Sequence, residues 1–234
     1  MSDLKIGFLG GTGKCGRGLA LRWIPNHEIL IGSRSKENAI SIAEKYAAVV
    51  IEHYGKMMSR NIVGMSNHEV AKVADVLVFT IPYENLVETM KSIKSFVPAN
   101  SLIISPVIPI IKGSEGFVYA PYNVYDSTNN SYTPLSAAEV ISREFPSNKI
   151  VSGFHTLSAR VLSDLNTELN LDVLLAGDDS EAITTVSNLV KEIPMLRPIH
   201  VGPIRFSNQV ECMTPLLLNI AKNNMIKDPS IKIA

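Results

Sequence analysis

The sequence predicts an α/β protein: a Rossmann-type doubly wound parallel sheet followed by a small C-terminal α/β domain. Three observations carry this expectation. Short apolar runs alternate with helical stretches through the first 155 residues, which is the pattern of βαβ units. A Gly-x-Gly-x-x-Gly run stands directly between the first apolar run and the first helical stretch. The pattern changes after His155, which divides the chain into residues 1–155 and 156–234.

Residues 4–9 form an apolar run ended by Gly10 and Gly11, read as a buried parallel strand covered on both faces. A helix begins near Gly13 and runs to Trp23, where Pro25 stops it. Residues 28–31 are a second strand closed by Gly32, and 38–48 a second helix. VLVFTI, residues 76–81, is a buried strand ended by Pro82, and residues 102–104 and 150–154 give two more. Residues 121–134, PYNVYDSTNNSYTP, have turn composition and are expected as a surface loop. Beyond the boundary, 172–176 reads as a strand and 179–193 as a helix, with Asp178, Asp179 and Ser180 as natural caps. Residues 208–225 are a mostly apolar helical stretch in which Pro215 kinks the helix or starts a fresh turn.

Composition narrows the function classes. Of 234 residues, 46% are apolar and 19% charged, which suits a packed interior and argues against disorder. Twenty-two basic residues balance 22 acidic ones, so nothing electrostatic favours nucleic acid or an anionic membrane. No apolar run reaches the ~18–20 residues that span a bilayer, and the N-terminus is too short for a signal-peptide core. The two cysteines, Cys15 and Cys212, provide neither a disulfide framework nor metal-ligand spacing, so a cytoplasmic protein without a metal is expected.

The glycine run is Gly11, Thr12, Gly13, Lys14, Cys15 and Gly16. In such a run the first glycine permits the turn, the second lets backbone approach a pyrophosphate, and the third lets helix and strand pack. The pyrophosphate then meets the positive end of the helix. Lys14 and Arg17 there are phosphate partners or solvated side chains. The second strand ends Gly32, Ser33, Arg34, Ser35, Lys36, with no acid before Glu37. A carboxylate at this point would serve NAD and repel the extra phosphate of NADP. Arg34 is suited to clasp that phosphate, Ser33 to add a hydrogen bond and Lys36 to add charge, so NADP is the expected cofactor.

Proton carriers are scarce. His155 ends a buried strand, where α/β folds place ligands, and is either a ligand contact or a structural histidine. Thr80, Ile81 and Pro82, with Pro106 to Pro109, follow strands and should line one apolar crevice suited to a flat ring against nicotinamide. A reductase of an imine, a flavin or a metal chelate, and a non-enzymatic NADP sensor, both remain compatible with these residues.

The motifs GGTGKCGRGLALR, IGSR, VFTIPYE, SPVIP, FHTLSA and VECMTPLLLNI, in that order, resemble the F-420-dependent NADP reductase family from about residue 4 onward. The resemblance implies an oxidoreductase moving a hydride reversibly between NADPH and the deazaflavin coenzyme F-420, on a Rossmann domain with a small C-terminal domain closing the pocket. It implies that Thr12 to Cys15 contact the phosphates and nicotinamide side, and that Ser33 and Arg34 hold the adenosine phosphate. A family lysine matches Asn38, so Lys36 is the expected substitute. His155, Thr214 and Asn61 match deazaflavin-pocket positions, Ala159 a cofactor contact, and Pro229 a position near the end of that pocket. Partners are then small-molecule coenzymes, and the assembly a homodimer. Two departures stand out: extra residues around 49–59 and 121–133, and FSNQVEC in place of NSRLVES.

Overall fold

The computed structural model describes residues 3–56, 61–126 and 130–234. In chain order the elements are β1 (Lys5–Leu9), α1 (Lys14–Trp23), β2 (Glu28–Ser33), α2 (Lys36–Tyr54), β3 (Ile62–Ser66), α3 (Asn67–Val73) and β4 (Val76–Phe79). After them come α4 (Leu86–Ile93), β5 (Leu102–Ser105), β6 (Ile110–Lys112), β7 (Phe117–Tyr119), β8 (Tyr122–Asp126), β9 (Ser131–Leu135), α5 (Ala137–Glu144) and β10 (Lys149–Ser152). The last are α6 (Ala159–Ser163), β11 (Leu171–Gly177), α7 (Ser180–Lys191), β12 (Leu196–Gly202), α8 (Ser207–Glu211) and α9 (Met213–Asn224).

The main sheet has the order β12-β11-β10-β5-β4-β1-β2-β3. Its strands are parallel except where β10 meets β11. Alternation along each strand splits the interior in two. Ile6, Phe8, Val78, Ile104 and Val151 face α1, α2 and α7, while Leu77, Phe79, Ile103 and Ile150 face α3, α4 and α5. Both faces are thus covered, which is why these strands read as unbroken apolar runs. The chain lays β2 and β3 on one side of β1 and returns to lay β4 on the other. That reversal leaves a crevice at the carboxyl ends of β1 and β4. The boundary expected at 155 falls just past β10, and the chain beyond it adds β11 and β12 to the same sheet.

Several local expectations are corrected. The loop expected at 121–134 is a hairpin of β8 and β9, with Tyr125 opposite Tyr132 and Val124 opposite Thr133. Aromatic and β-branched residues pair across it, while the turn composition is concentrated at its tip; residues 127–129 lie outside the described residues. The second helix spans Lys36–Tyr54, because Ser35 caps it by accepting from the Asn38 amide. Residues 57–59 of the extra segment lie outside the described residues. The stretch at 208–225 is two helices parted at Cys212, and Pro215 sits in the first turn of α9, where its missing N–H costs nothing. The strand β12 was unforeseen because Pro198 lies inside it; β12 is an edge strand, where proline is tolerated.

Candidate functional site

The carboxyl ends of β1, β2, β4 and β5 border a cavity of about 820 Å³. Gly10, Thr12, Gly13, Lys14 and Cys15 form one wall, and Ser33, Arg34 and Asn38 close one end. Thr80, Ile81, Pro82 and Tyr83 line the crevice after β4, and Pro106, Val107, Ile108 and Ile110 continue it after β5. The expected phosphate end and the expected apolar crevice therefore belong to one continuous space.

The glycines of the run differ in what requires them. A Cβ on Gly11 would lie 2.8 Å from the Phe8 Cβ, and one on Gly16 2.8 Å from the Thr80 hydroxyl and 3.0 Å from the Gly11 Cα. Packing of α1 on the sheet forbids both. Gly13 has an ordinary φ of −80°, and a Cβ there would find its nearest atom at 3.5 Å. Neither conformation nor packing asks for a glycine at 13, so the space above it is free for something outside the chain. Gly13 also starts α1 with no side-chain cap, and the first turn carries no acid. The first-turn amides thus stay open to an anion. Burial pushes the Cys15 thiol up to about 11, so Cys15 packs rather than reacts.

At the other end, parallel register sets Ser33 beside Ser66. The Asn38 amide donates to the Ser33 hydroxyl at 3.4 Å. Lys36 turns away and donates to Glu69 at 2.6 Å, and it does not border the cavity. Asn38, at the position of the family's lysine, borders the cavity instead. Ser66, Asn67 and His68, unforeseen in the sequence, complete this end. The capping-box spacing of Ser66 and Glu69 was the signal that could have located them. Arg34→Ala should weaken NADP binding about ten- to a hundredfold, the ~1.5–3 kcal/mol of a charge-assisted contact, and leave NAD binding nearly unchanged. Titration with both dinucleotides checks this; equal losses would remove the basis for NADP.

The second set of expected residues gathers around α6. His155 is buried and neither ring nitrogen has a hydrogen-bond partner. Burial lowers its pKa to about 3, with the Ser105 backbone opposing weakly, so the ring is neutral. Phe154 presents it from a left-handed backbone, φ 68°, and stands edge-on to Trp23 at 5.6 Å. The Thr214 hydroxyl donates to the His155 carbonyl at 2.9 Å, so these two expected pocket residues are neighbours. Ala159 opens α6, and Asp228, next to Pro229, accepts from Ser158 at 2.6 Å and from Arg160. Arg22 of α1 anchors this arm by donating to the carbonyls of Val161, Leu162, Asp164 and Thr167. Asn61 stands apart. It precedes β3 at the amino end of the sheet, one residue before Ile62, which pairs with Ile29. Parallel register holds it at the end opposite the cavity, and it drops out of the site.

A cavity at the switch point, with a Gly-x-Gly-x-x-Gly turn at its wall and an uncapped helix start, is the site at which the dinucleotide-binding class of Rossmann proteins takes its pyrophosphate. The family model for NADP oxidoreductase, coenzyme F-420-dependent, matches residues 5–109. The F-420-dependent NADP reductase of Methanocaldococcus jannaschii is 32% identical over 232 residues, covering 98% of both chains. The enzyme of that name from Methanothermobacter marburgensis is 30% identical over 233 residues, again with 98% of both chains covered. The chain belongs to the F-420-dependent NADP reductase family. Its fold is also that of a putative F-420-dependent NADP reductase from Arthrobacter sp. FB24, with a TM-score of 0.78 at 21% identity over 99% of each chain. A pyrroline-5-carboxylate reductase from Coxiella burnetii is a more distant likeness in fold, with a TM-score of 0.53 at 13% identity, covering 85% of this chain and 59% of that one.

Proposed function

We propose that this protein transfers a hydride reversibly between NADPH and coenzyme F-420. The observation that carries the reading is Gly13, a glycine that the fold does not need, at the mouth of an uncapped helix within a cavity running on to an apolar wall. When bound, the deazaflavin supplies a ring that accepts and releases hydride. The chain's residues orient and enclose. Thr12, Gly13, Lys14 and Cys15 present backbone to the pyrophosphate, Gly11 and Gly16 let α1 pack closely enough on the sheet to bring them there, and Ser33, Arg34 and Asn38 hold the adenosine phosphate. Ile81 and Pro82, with Pro106 to Ile108, keep water from the nicotinamide. His155, neutral and unpartnered, offers an imidazole hydrogen bond to the second ring, with Thr214 fixing the backbone beneath it. His155 acts as a positioning group, and Ala159 at the start of α6 and Pro229 beside Asp228 are the further contacts in this reading. The proposal keeps the division into an NADP-binding part, 1–155, and a part walling the deazaflavin, 156–234.

Purified protein with NADPH should bleach the visible absorbance of oxidised F-420. Absence of bleaching by folded, NADPH-saturated protein would transfer the assignment to another acceptor. We also propose a homodimer in the cytoplasm. Ile111, Val118, Leu216 and Ile220 are exposed apolar residues on β6, β7 and α9 that a second copy would cover, and both cysteines are free thiols, as a reducing compartment keeps them. Among the described residues no helix is long and apolar enough to cross a membrane.

A further inference from the structure

Among the described residues, the one carboxyl group sealed inside the C-terminal half without a cation beside it is Glu211, the last residue of α8. It has no solvent exposure. Its two oxygens accept from the Ala137 amide at 2.9 Å and the Ala138 amide at 3.1 Å, at the start of α5. A third donor is the Tyr119 hydroxyl of β7, at 3.2 Å. Tyr119 pairs across the hairpin with Ile110, and Ile110 borders the cavity. The hairpin is otherwise tied to the C-terminal helices by the Asn219 amide, which bonds both the N–H and the carbonyl of Phe117, and by Lys222 donating to the Glu115 carbonyl.

We propose that Glu211 is an ionisable positioning residue, acting through Tyr119 on the β6–β7 wall of the coenzyme cavity. The chemistry of the three donors gives the mechanism. An ionised carboxylate accepts from all of them. A protonated one must donate its own hydrogen, and backbone N–H groups cannot receive it. Tyr119 is the neighbour that can, so protonation reverses the Tyr119 bond and replaces a charge-assisted link to the wall with a neutral one. Burial raises the Glu211 pKa to about 8 against the help of its three donors, and Glu139 of α5 adds repulsion. The other titratable groups facing it are Tyr119, Tyr83 on the cavity side and Cys212 next in the chain, each raised above its ordinary value by burial first. Glu211 is therefore the group among these that changes charge near neutral pH. This inference rests on the reading that the cavity binds NADPH.

Two quantities should move in opposite directions. The folded carboxyl holds its proton more tightly than the unfolded one, so Glu211 stabilises the fold at low pH. That contribution is lost as pH rises from about 4.5 to about 8. Wall positioning improves over the upper part of the same range, as the carboxylate forms. NADPH affinity, read by fluorescence titration from about pH 7 to pH 9.5, should therefore tighten roughly three- to tenfold, the difference between a neutral and a charge-assisted hydrogen bond. Thermal unfolding of the same protein should show stability falling. Glu211→Gln should flatten both profiles and keep the weaker, low-pH affinity. Tyr119→Phe, which leaves the α5 amides capped, should flatten the binding profile and keep the pH dependence of unfolding; it decides the matter if the glutamine variant does not fold. A binding profile in Tyr119→Phe equal to that of the unsubstituted protein, or no tightening in the latter, would overturn the inference while leaving the NADP reading intact. No NADPH binding at any pH would overturn both.

Discussion

Gly13→Val should abolish NADP binding in a protein that remains folded. The side chain at 13 meets no atom of the chain closer than 3.5 Å at its Cβ, and the backbone there is in an ordinary extended conformation. Substitution therefore costs the fold little. It fills the approach to the uncapped first turn of α1, where a pyrophosphate must reach backbone amides. An affinity loss beyond a hundredfold, about 3 kcal/mol or more, is expected. Circular dichroism and a dinucleotide titration on the same preparation check both halves. Tight binding by a folded variant would show that the glycine loop is not the dinucleotide site. Gly16→Val makes the complementary comparison, because its Cβ collides with Thr80 and Gly11 and the fold itself should suffer.

Arg22→Ala should destabilise the fold strongly although the side chain it removes is polar. The Arg22 guanidinium is largely buried and serves the carbonyls of Leu162 at 2.8 Å, Asp164 at 2.8 Å and Thr167 at 3.2 Å. Those carbonyls end α6 and begin the loop leading to β11; without the fork Asp164 keeps the Thr167 amide at 3.2 Å, while Leu162 and Thr167 lose the donor that serves them. A loss of about 2–4 kcal/mol follows, which lowers Tm by roughly 5–15 °C for a chain of this size. Arg22→Lys recovers little of it, since an ammonium cannot reproduce a planar fork aimed at several carbonyls. Because the arm carries Ala159 and Asp228, deazaflavin binding should weaken in the variant, while NADP binding stays within a few-fold. A Tm change within the scatter of repeat scans would mean that water replaces the guanidinium.

The sequence displayed the nucleotide half of the fold far better than the second half of the site. Strands β1, β4 and β5 are buried on both faces, and a doubly buried strand announces itself as an apolar run. The strand β3 does not: Gly64 interrupts it, its residues are half exposed, and its N-terminal neighbours are polar. With it went α3 and the polar residues Ser66 to His68. The helix α5 was lost although Ser136 and Glu139 form a capping box of the same spacing as Ser66 and Glu69. Arg34 and Asn38 were legible because one strand and its following turn deliver them. Glu211 and Arg22 were not, because their partners lie 74 and 140 positions away, at Ala137 and Leu162. Only the folded chain brings such partners together. Lys36 illustrates the reverse case: composition points to a cation near the phosphate, while in the structure its ammonium bonds Glu69.

The eight strands share one unbroken hydrogen-bonded ladder from β3 to β12. The loop after β4, proposed for the nicotinamide, and His155 after β10, proposed for the second ring, are separated only by β5 within that ladder. Strand spacing is about 4.8 Å, so their separation is set as marks on a ruler are set, by a lattice that neither stretches nor bends appreciably. An oxidoreductase that brings its two substrates together by swinging domains must find the right distance again at every turnover. On the proposed placement of the two rings, the distance is made once, when the sheet forms.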